Sequence, residues 1–357
     1  MNGTTISRAG AGPRRGALFQ ALAAAIIVAA AVSCVPVLGA GDGEDYPLVM
    51  IKDDSDEEAS AIGSPDVVEH GDGFLMVYAQ GGRPVPGAAA GRSNRGRVGL
   101  AVSSDGVSWT KRGSALSPAP EGAWDCWFLD TPCVERVDGT WYLYYFGDDD
   151  NSAPGAAIGL ATSADLATWS RARAGPVLSP GPIGSWDENW VESPSVRYDE
   201  PTATFHMWYT GVDAAWVVRT GHATSPDGIT WTKDPSNPVL RERNPDRSDW
   251  DAWDGVGAGV ASAFRHEGSW HLFYASQSLF ETWSKQRKPK IGLATSSDGS
   301  SFARYGDAPL FDRAQTGFQP DGPYNPSVLF RGGSWWAWYE TGYGFGLIKA
   351  ASLDGDW

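Results

Sequence analysis

Four Pro-containing hexapeptides recur along this chain at nearly constant spacing: GSPDVV from Gly63, DTPCVE from Asp130, ESPSVR from Glu192 and YNPSVL from Tyr324. A degenerate copy, GVASAF from Gly259, falls in the same register. With the fifth residue of each copy as anchor (Val67, Val134, Val196, Ala263 and Val328), the separations are 67, 62, 67 and 65 residues. Such a period is too long for most helical repeats and suits one four-stranded propeller blade.

Each copy continues in the same order. Seven residues after the anchor stands Phe74, Trp141, Trp270 or Trp335, behind a Gly-containing turn that suits a tight hairpin. The third copy has Asp199-Glu200-Pro201 and a longer turn. The second strands, such as WYLYYFG from Trp141 and WWAWYET from Trp335, are apolar at nearly every position, as expected of a sheet covered on both faces by neighbouring sheets. A third strand follows, as in IGLATSADLATW from Ile158, then an Asp turn and the start of a fourth strand. The last copy stops at Trp357, one strand short. Pro47-Leu48-Val49 resembles the Pro-led apolar pairs at Pro176, Pro238 and Pro309 that close other blades, so the N-terminus supplies the missing strand and the ring closes without open edges. The expected fold is all-β: a five-bladed β-propeller, residues 41–357, closed by an N-terminal strand completing the last blade.

Composition agrees. Of 357 residues, 18 are Trp, 12 Tyr and 13 Phe, which excludes a disordered chain. Length alone would suggest about two domains, and the repeats replace that with one. The net charge of -15 repels phosphate backbones, which excludes nucleic acid as a partner. Arg14 and Arg15 precede an uncharged run from Ala17 to Ser33, so residues 1–40 read as a signal peptide or lipoprotein signal and the protein as secreted or held at the cell envelope. In the second case Cys34, after Ala31-Val32-Ser33, carries a lipid anchor, the one membrane attachment expected; a monomer is expected in either case. Cys126 and Cys133 permit a disulfide without requiring it. The DDSDEE run from Asp53 reads as a solvated connection.

Inner strands of a propeller converge on its axis, so the first residue of each copy faces a ligand at one mouth. Those residues are Gly63, Asp130, Glu192, Gly259 and Tyr324, two of them acids. Asp66 lies three residues further in, with Asp254 and Asp321 upstream of the fourth and fifth copies. Glycoside cleavage needs one protonated carboxyl for the leaving oxygen and one ionised carboxyl to activate water or attack carbon. Carboxyls crowded near an axis supply both.

The unit SP.V, MWYTG or YLYYFG, IGLATS-DG-W and PVL resembles the five-bladed furanosidase-type glycosidases of glycoside hydrolase families 43 and 32, over essentially residues 46–357. The resemblance implies Glu192, in Glu192-Ser193-Pro194, as general acid and Asp130, in Asp130-Thr131-Pro132, as the acid that orients it and tunes its pKa. The family's early Asp-Pro has no clean counterpart; Asp66 is the substitute for the base, with Asp321 behind it. The implied activity is hydrolysis of an arabinose-, xylose- or fructose-containing glycan. Two alternatives stay open: a non-catalytic carbohydrate-binding propeller, and a phosphorylase related to mannoside phosphorylases, for which Arg83, Arg92 and Arg219 are the available basic residues.

Trp127, Trp190 and Trp216 break the repeat and are candidates for stacking on a sugar. The pairs Trp124-Asp125, Trp186-Asp187 and Trp253-Asp254, with Phe318 in the equivalent place, and the Asp turns recur from blade to blade and read as structural. The histidines lack metal-ligand spacing, and His222 reads as packing. No cofactor is expected beyond a structural calcium ion at Asp148-Asp149-Asp150-Asn151, which lacks the EF-hand pattern and otherwise reads as a solvated loop.

Overall fold

A computed structural model describes residues 48–53, 55, 58, 61–82, 96–149, 156–244, 253–255, 257–276, 290–312, 323–341, 344–353 and 357. Residues 1–47, with Cys34 and Pro47, lie outside the described residues, as do Arg83, Arg92, Asp150, Asn151, Phe318 and Asp321. Among the described residues are five four-stranded antiparallel sheets. The first holds β2 (Ala61–His70), β3 (Gly73–Gly81), β4 (Gly96–Ser103) and β5 (Thr110–Leu116). The second holds β6 (Phe128–Val137), β7 (Thr140–Asp148), β8 (Ala157–Ser163) and β9 (Ser170–Arg171), and the third β10 (Trp190–Asp199), β11 (Thr204–Val212), β12 (Val218–Ser225) and β13 (Thr232–Lys233). The fourth holds β14 (Gly259–His266), β15 (Ser269–Ala275), β16 (Ile291–Ser296) and β17 (Ala303–Arg304). In the fifth, β18 (Tyr324–Arg331), β19 (Ser334–Glu340) and β20 (Gly344–Ala350) are completed by β1 (Met50–Ile51). The fold is the expected five-bladed propeller.

The closing strand sits one residue later than the Pro47 alignment implies. Val49 N–H donates to Phe345 O and Met50 faces Phe345, as Val177 N–H donates to Ile158 O and Leu178 bridges Ile158 in the second blade. The longer turn of the third copy contains a short 3-10 segment, Glu200–Thr202. No helix of the described residues is long and apolar enough to cross a membrane.

Two belts of side chains tie blade to blade. At the axis, the residue before each anchor accepts the next blade's anchor N–H. Ser327 Oγ accepts from Val67 at 2.8 Å, Asp66 Oδ2 from Val134 at 2.8 Å, and Cys133 Sγ from Val196 at 3.2 Å. Ser195 Oγ accepts from Ala263 at 2.9 Å, and Ser262 Oγ from Val328 at 3.2 Å, so the belt is closed. Further out, a ring of one blade donates to the Asp-turn carbonyl of the next: Trp338 to Gly106 at 2.8 Å, Tyr144 to Gly228 at 2.9 Å, Trp208 to Gly299 at 2.9 Å. The turns hold themselves, with Asp227 Oδ1 accepting from Ile229 N–H and Thr230 N–H and Ser225 Oγ from Gly228 N–H. They are structural, as their repetition implied.

Between adjacent blades lies an apolar cluster, for example Leu75, Val134 and Leu143 between the first and second, or Trp208, Val260 and Leu272 between the third and fourth. This accounts for second strands that are apolar on both faces. Burying each such side chain stabilises the fold by roughly 1.5–3 kcal/mol. Within a blade, the Trp-Asp pair pins the second strand: Trp253 stacks on Tyr274 at 5.6 Å, and Asp254 accepts from Tyr274 Oη at 3.0 Å, Arg304 Nε at 2.7 Å and Arg243 Nε at 2.8 Å. Asp125 and Asp187 do the same with Tyr145 and Arg171, and with Tyr209 and Lys233. In the first blade the acid is Glu58, buried, accepting from Tyr78 Oη at 2.6 Å and paired with Lys111. The end of the DDSDEE run is therefore packed rather than solvated. The Gly of each third strand exists for the same Tyr, since a Cβ at Gly159 or Gly346 would collide with the ring of Tyr145 or Tyr339.

His222 is buried as expected, with Nε2 at 3.0 Å from His206 Nδ1 and Nδ1 at 3.2 Å from Asp234 Oδ2. Burial, then the neighbouring His222, holds the His206 ring down to about 4, with Asp199 and Arg265 acting weakly and in opposite senses. An unfolded His titrates near 6.5, so the unfolded state takes up protons first and stability falls as pH drops from about 6.5 towards 4. His206→Leu, which installs the residue type of Leu75 in the first blade, should flatten this dependence in urea unfolding; an unchanged slope would show that His206 does not carry it.

Candidate active site

The inner strands start with a bulge. Pairing shifts register between Gly63 and Asp66, Asp130 and Cys133, Glu192 and Ser195, and Tyr324 and Ser327. The second residue of these copies has positive φ: Ser64 49°, Thr131 40°, Ser193 49°, Asn325 40°. Pro follows each one and removes a ladder donor, and a bulge re-aims the strand end. The fourth copy, without Pro, shifts between Val260 and Ser262 instead.

Asp130 and Glu192 open the adjacent inner strands β6 and β10. Asp130 Oδ1 accepts Thr131 N–H at 2.6 Å and the Ser64 side chain also favours its charged form, while Thr131 Oγ1 accepts Ser193 N–H at 3.1 Å. Burial pushes Asp130 up to about 6 against these hydrogen bonds. Burial and then the Asp130 charge push Glu192 up to about 7, against a hydrogen bond from the Trp190 side chain. Two neighbouring carboxyls are thus both held up towards neutrality, the kind of shift that acid catalysis uses.

The three candidate tryptophans come together beside this pair. Trp190, two residues before Glu192, is buried edge-on against Trp216 with ring centroids 5.0 Å apart. Both pack with Trp127, Phe128, Phe146 and Val212. Trp190 therefore shapes the wall, while Trp127 and Trp216 keep partial exposure. Trp216 sits at φ 64° in a turn fixed by Asp213 Oδ1, which accepts Ala215 and Val217 N–H. Arg219 is committed to the same structure: it pairs bidentately with Glu242 at 2.7 and 2.8 Å and with Asp213 at 2.8 Å.

Asp66 lies deeper, in the axial belt, in a place that is Cys or Ser in the other blades. Besides Val134 N–H it faces Arg197 Nη2 at 3.4 Å, and the same guanidinium stands 3.8 Å from Glu135, whose carboxyl burial pushes up to about 7. Asp254 is held in its blade pin, away from the strand starts. Asp148 is a buried part of β7 rather than solvated loop, and no group of three or more metal-ligating side chains occurs among the described residues. Cys126 and Cys133 are free thiols.

One acid escaped the sequence reading. Glu340 ends β19, and its Oε2 accepts Ser64 N–H at 2.8 Å and Asn325 Nδ2 at 3.4 Å. With Asp130, Gly63, Ser64 and Gln80 it lines a cavity of about 30 Å³, room for a water or two. The signal was present: its slot holds Ala79, Phe146, Thr210 and Ala275 in the other blades.

No family model matches the chain. A 1,2-beta-oligomannan phosphorylase of Thermoanaerobacter sp. (strain X514) is 28% identical over 127 residues, which cover 36% of this chain and 42% of that protein. The match thus spans less than half the length of this curated relative. A beta-1,2-mannobiose phosphorylase from Listeria innocua, in complex with beta-1,2-mannobiose, superposes with TM-score 0.63 at 11% identity over 88% of this chain and 93% of that one. A structure from the GH130 family of mannoside phosphorylases, described with hydrolases that target beta-1,2-mannosidic linkages in Candida mannan, gives 0.64 at 15% identity over 89% and 96%. These neighbours are named for mannosides, not for the arabinose, xylose or fructose glycans expected, and they do not single out families 43 and 32. The chain has the five-bladed propeller fold of glycoside hydrolases and phosphorylases.

Proposed function

We propose that the protein is an exported enzyme that cleaves a glycosidic bond in a mannoside, with Glu192 giving its proton to the leaving oxygen. The observation that carries this reading is the Glu192 carboxyl, pushed up to about 7 by burial and by Asp130 on the neighbouring strand. A carbohydrate-binding propeller without catalysis needs the aromatic wall of Trp127 and Trp216 but not this acid pair. Mannosides are preferred because the relatives above carry that name; arabinosides, xylosides and fructosides serve as comparison substrates. Phosphorolysis is the second reading, favoured by the name of the curated relative. Of the basic residues considered for phosphate, Arg219 is bound to Glu242 and Asp213, which weighs against it in that role.

The assay is release of mannose or mannose 1-phosphate from beta-1,2-mannobiose and aryl mannosides, with and without phosphate. Glu192→Gln should slow cleavage by about 10²–10⁴-fold, the usual worth of a general acid. Equal rates in both proteins would remove Glu192 from the role, and binding without turnover in the wild type would favour the binding propeller.

The acid must be protonated, so kcat should fall as pH rises through about 7. Asp130→Asn removes the negative charge that helps hold the Glu192 proton. The alkaline limb should then move to lower pH; a limb that stays in place would contradict the tuning role of Asp130.

A further inference from the structure

Two blades begin their inner strands with Gly: Gly63 in the first and Gly259 in the fourth. In both, the end of the preceding blade's second strand stands in the space, joined at Gly259 by Val218 of the third strand. A Cβ at Gly259 would stand 3.2 Å from Thr210 Oγ1, and Thr210 Oγ1 accepts the following amide, Val260 N–H, at 3.1 Å. A Cβ at Gly63 would stand 2.8 Å from Glu340 Oε2, and that oxygen accepts the following amide, Ser64 N–H, at 2.8 Å. Thr210 and Glu340 occupy the same slot of the repeat. A hydroxyl is therefore enough to hold this amide, and the first blade uses a carboxylate where holding it does not require one.

That carboxylate lies over the Cα whose counterparts in the next two blades carry Asp130 and Glu192. Ser64 N–H and Asn325 Nδ2 both use it as an acceptor, the role open to an ionised carboxylate. It shares the water-sized cavity with Asp130. No positive φ marks Gly63, so a side chain there is excluded by Glu340 and not by the backbone.

We propose that Glu340, reaching from the fifth blade over Gly63, is the base that the first blade lacks, and that it activates water for attack on the anomeric carbon. This rests on the reading of Glu192 as general acid. The oxygen of a water bonds the anomeric carbon while its proton passes to Glu340. The glycosidic C–O bond breaks, and the leaving oxygen takes the proton of Glu192. Asp66, bonded to Val134 N–H and facing Arg197, stays in the axial belt.

The test compares wild type, Glu192→Gln, Glu340→Gln and Glu340→Thr on aryl mannosides and beta-1,2-mannobiose. Glu340→Thr copies the fourth blade's tie and Glu340→Gln keeps the shape, so a structural role predicts that one or both retain activity. The proposal predicts a loss of about 10²–10⁴-fold in both, loss of the acidic limb of the pH profile, and partial recovery with added azide or formate. It further predicts that the double variant Glu340→Ala with Gly63→Asp recovers part of the rate, because the carboxylate returns from the first blade. Wild-type rates in Glu340→Thr would overturn the proposal while an inactive Glu192→Gln left the acid assignment standing. So would an equal loss that neither azide nor the double variant restores. A wild type that cleaves no substrate would overturn both.

Discussion

The axial belt of side chain to amide bonds is the constraint on which the rest of this propeller depends. Each inner strand is held to the next by one bond from the residue before its anchor, so five strands are fixed in register at once. Such bonds contribute about 0.5–1.5 kcal/mol each where neutral, and leaving a buried amide unpaired costs more than that. Their larger effect is geometric. With the belt fixed and a bulge just before it, the first residues of the copies meet at one mouth at defined depth, which is what a pair of interacting carboxyls needs.

Acids in this chain divide by what holds them. Asp125, Asp187, Asp254 and Glu58 each receive a Tyr hydroxyl and face at least one cation, as fixed posts within a blade. Asp130 and Glu192 pair with no cation among the described residues, and burial pushes both upward. That environment is why Asp130 and Glu192 are the candidates for chemistry. The committed Arg219 follows the same logic on the basic side, since Glu242 and Asp213 satisfy three of its donors.

Blade number, strand order and the strand donated from the N-terminus were legible because each rests on residues used several times over. The Trp-Asp pairs and Asp turns were legible as structure for the same reason. Asp130 and Glu192 stood out as candidates because they differ from Gly63 and Gly259 at a shared offset. Asp66 shares their neighbourhood in sequence, and the structure adds that its slot is a hydrogen-bond position filled by Ser or Cys in the other blades. Glu340 was hidden in an aromatic strand, and its nearness to Gly63 depends on which second strand overlies which inner strand, a fact of three-dimensional stacking. Glu58 was hidden in a charge run whose register with Tyr78 only the folded chain defines. The sugar was not legible, because propeller repeats report on stacking and not on the sugar ring.

The central claim is that the mouth over β6 and β10 holds a glycosidic bond against Glu192. A crystal structure of the Glu192→Gln variant with a bound manno-oligosaccharide tests it most directly. The account predicts a glycosidic oxygen within hydrogen-bond reach, about 2.6–3.2 Å, of the substituted side chain, with Asp130 beside it and the sugar against Trp127 or Trp216. A sugar bound on another face, or one at this mouth whose linkage oxygen lies out of reach of position 192, would contradict it.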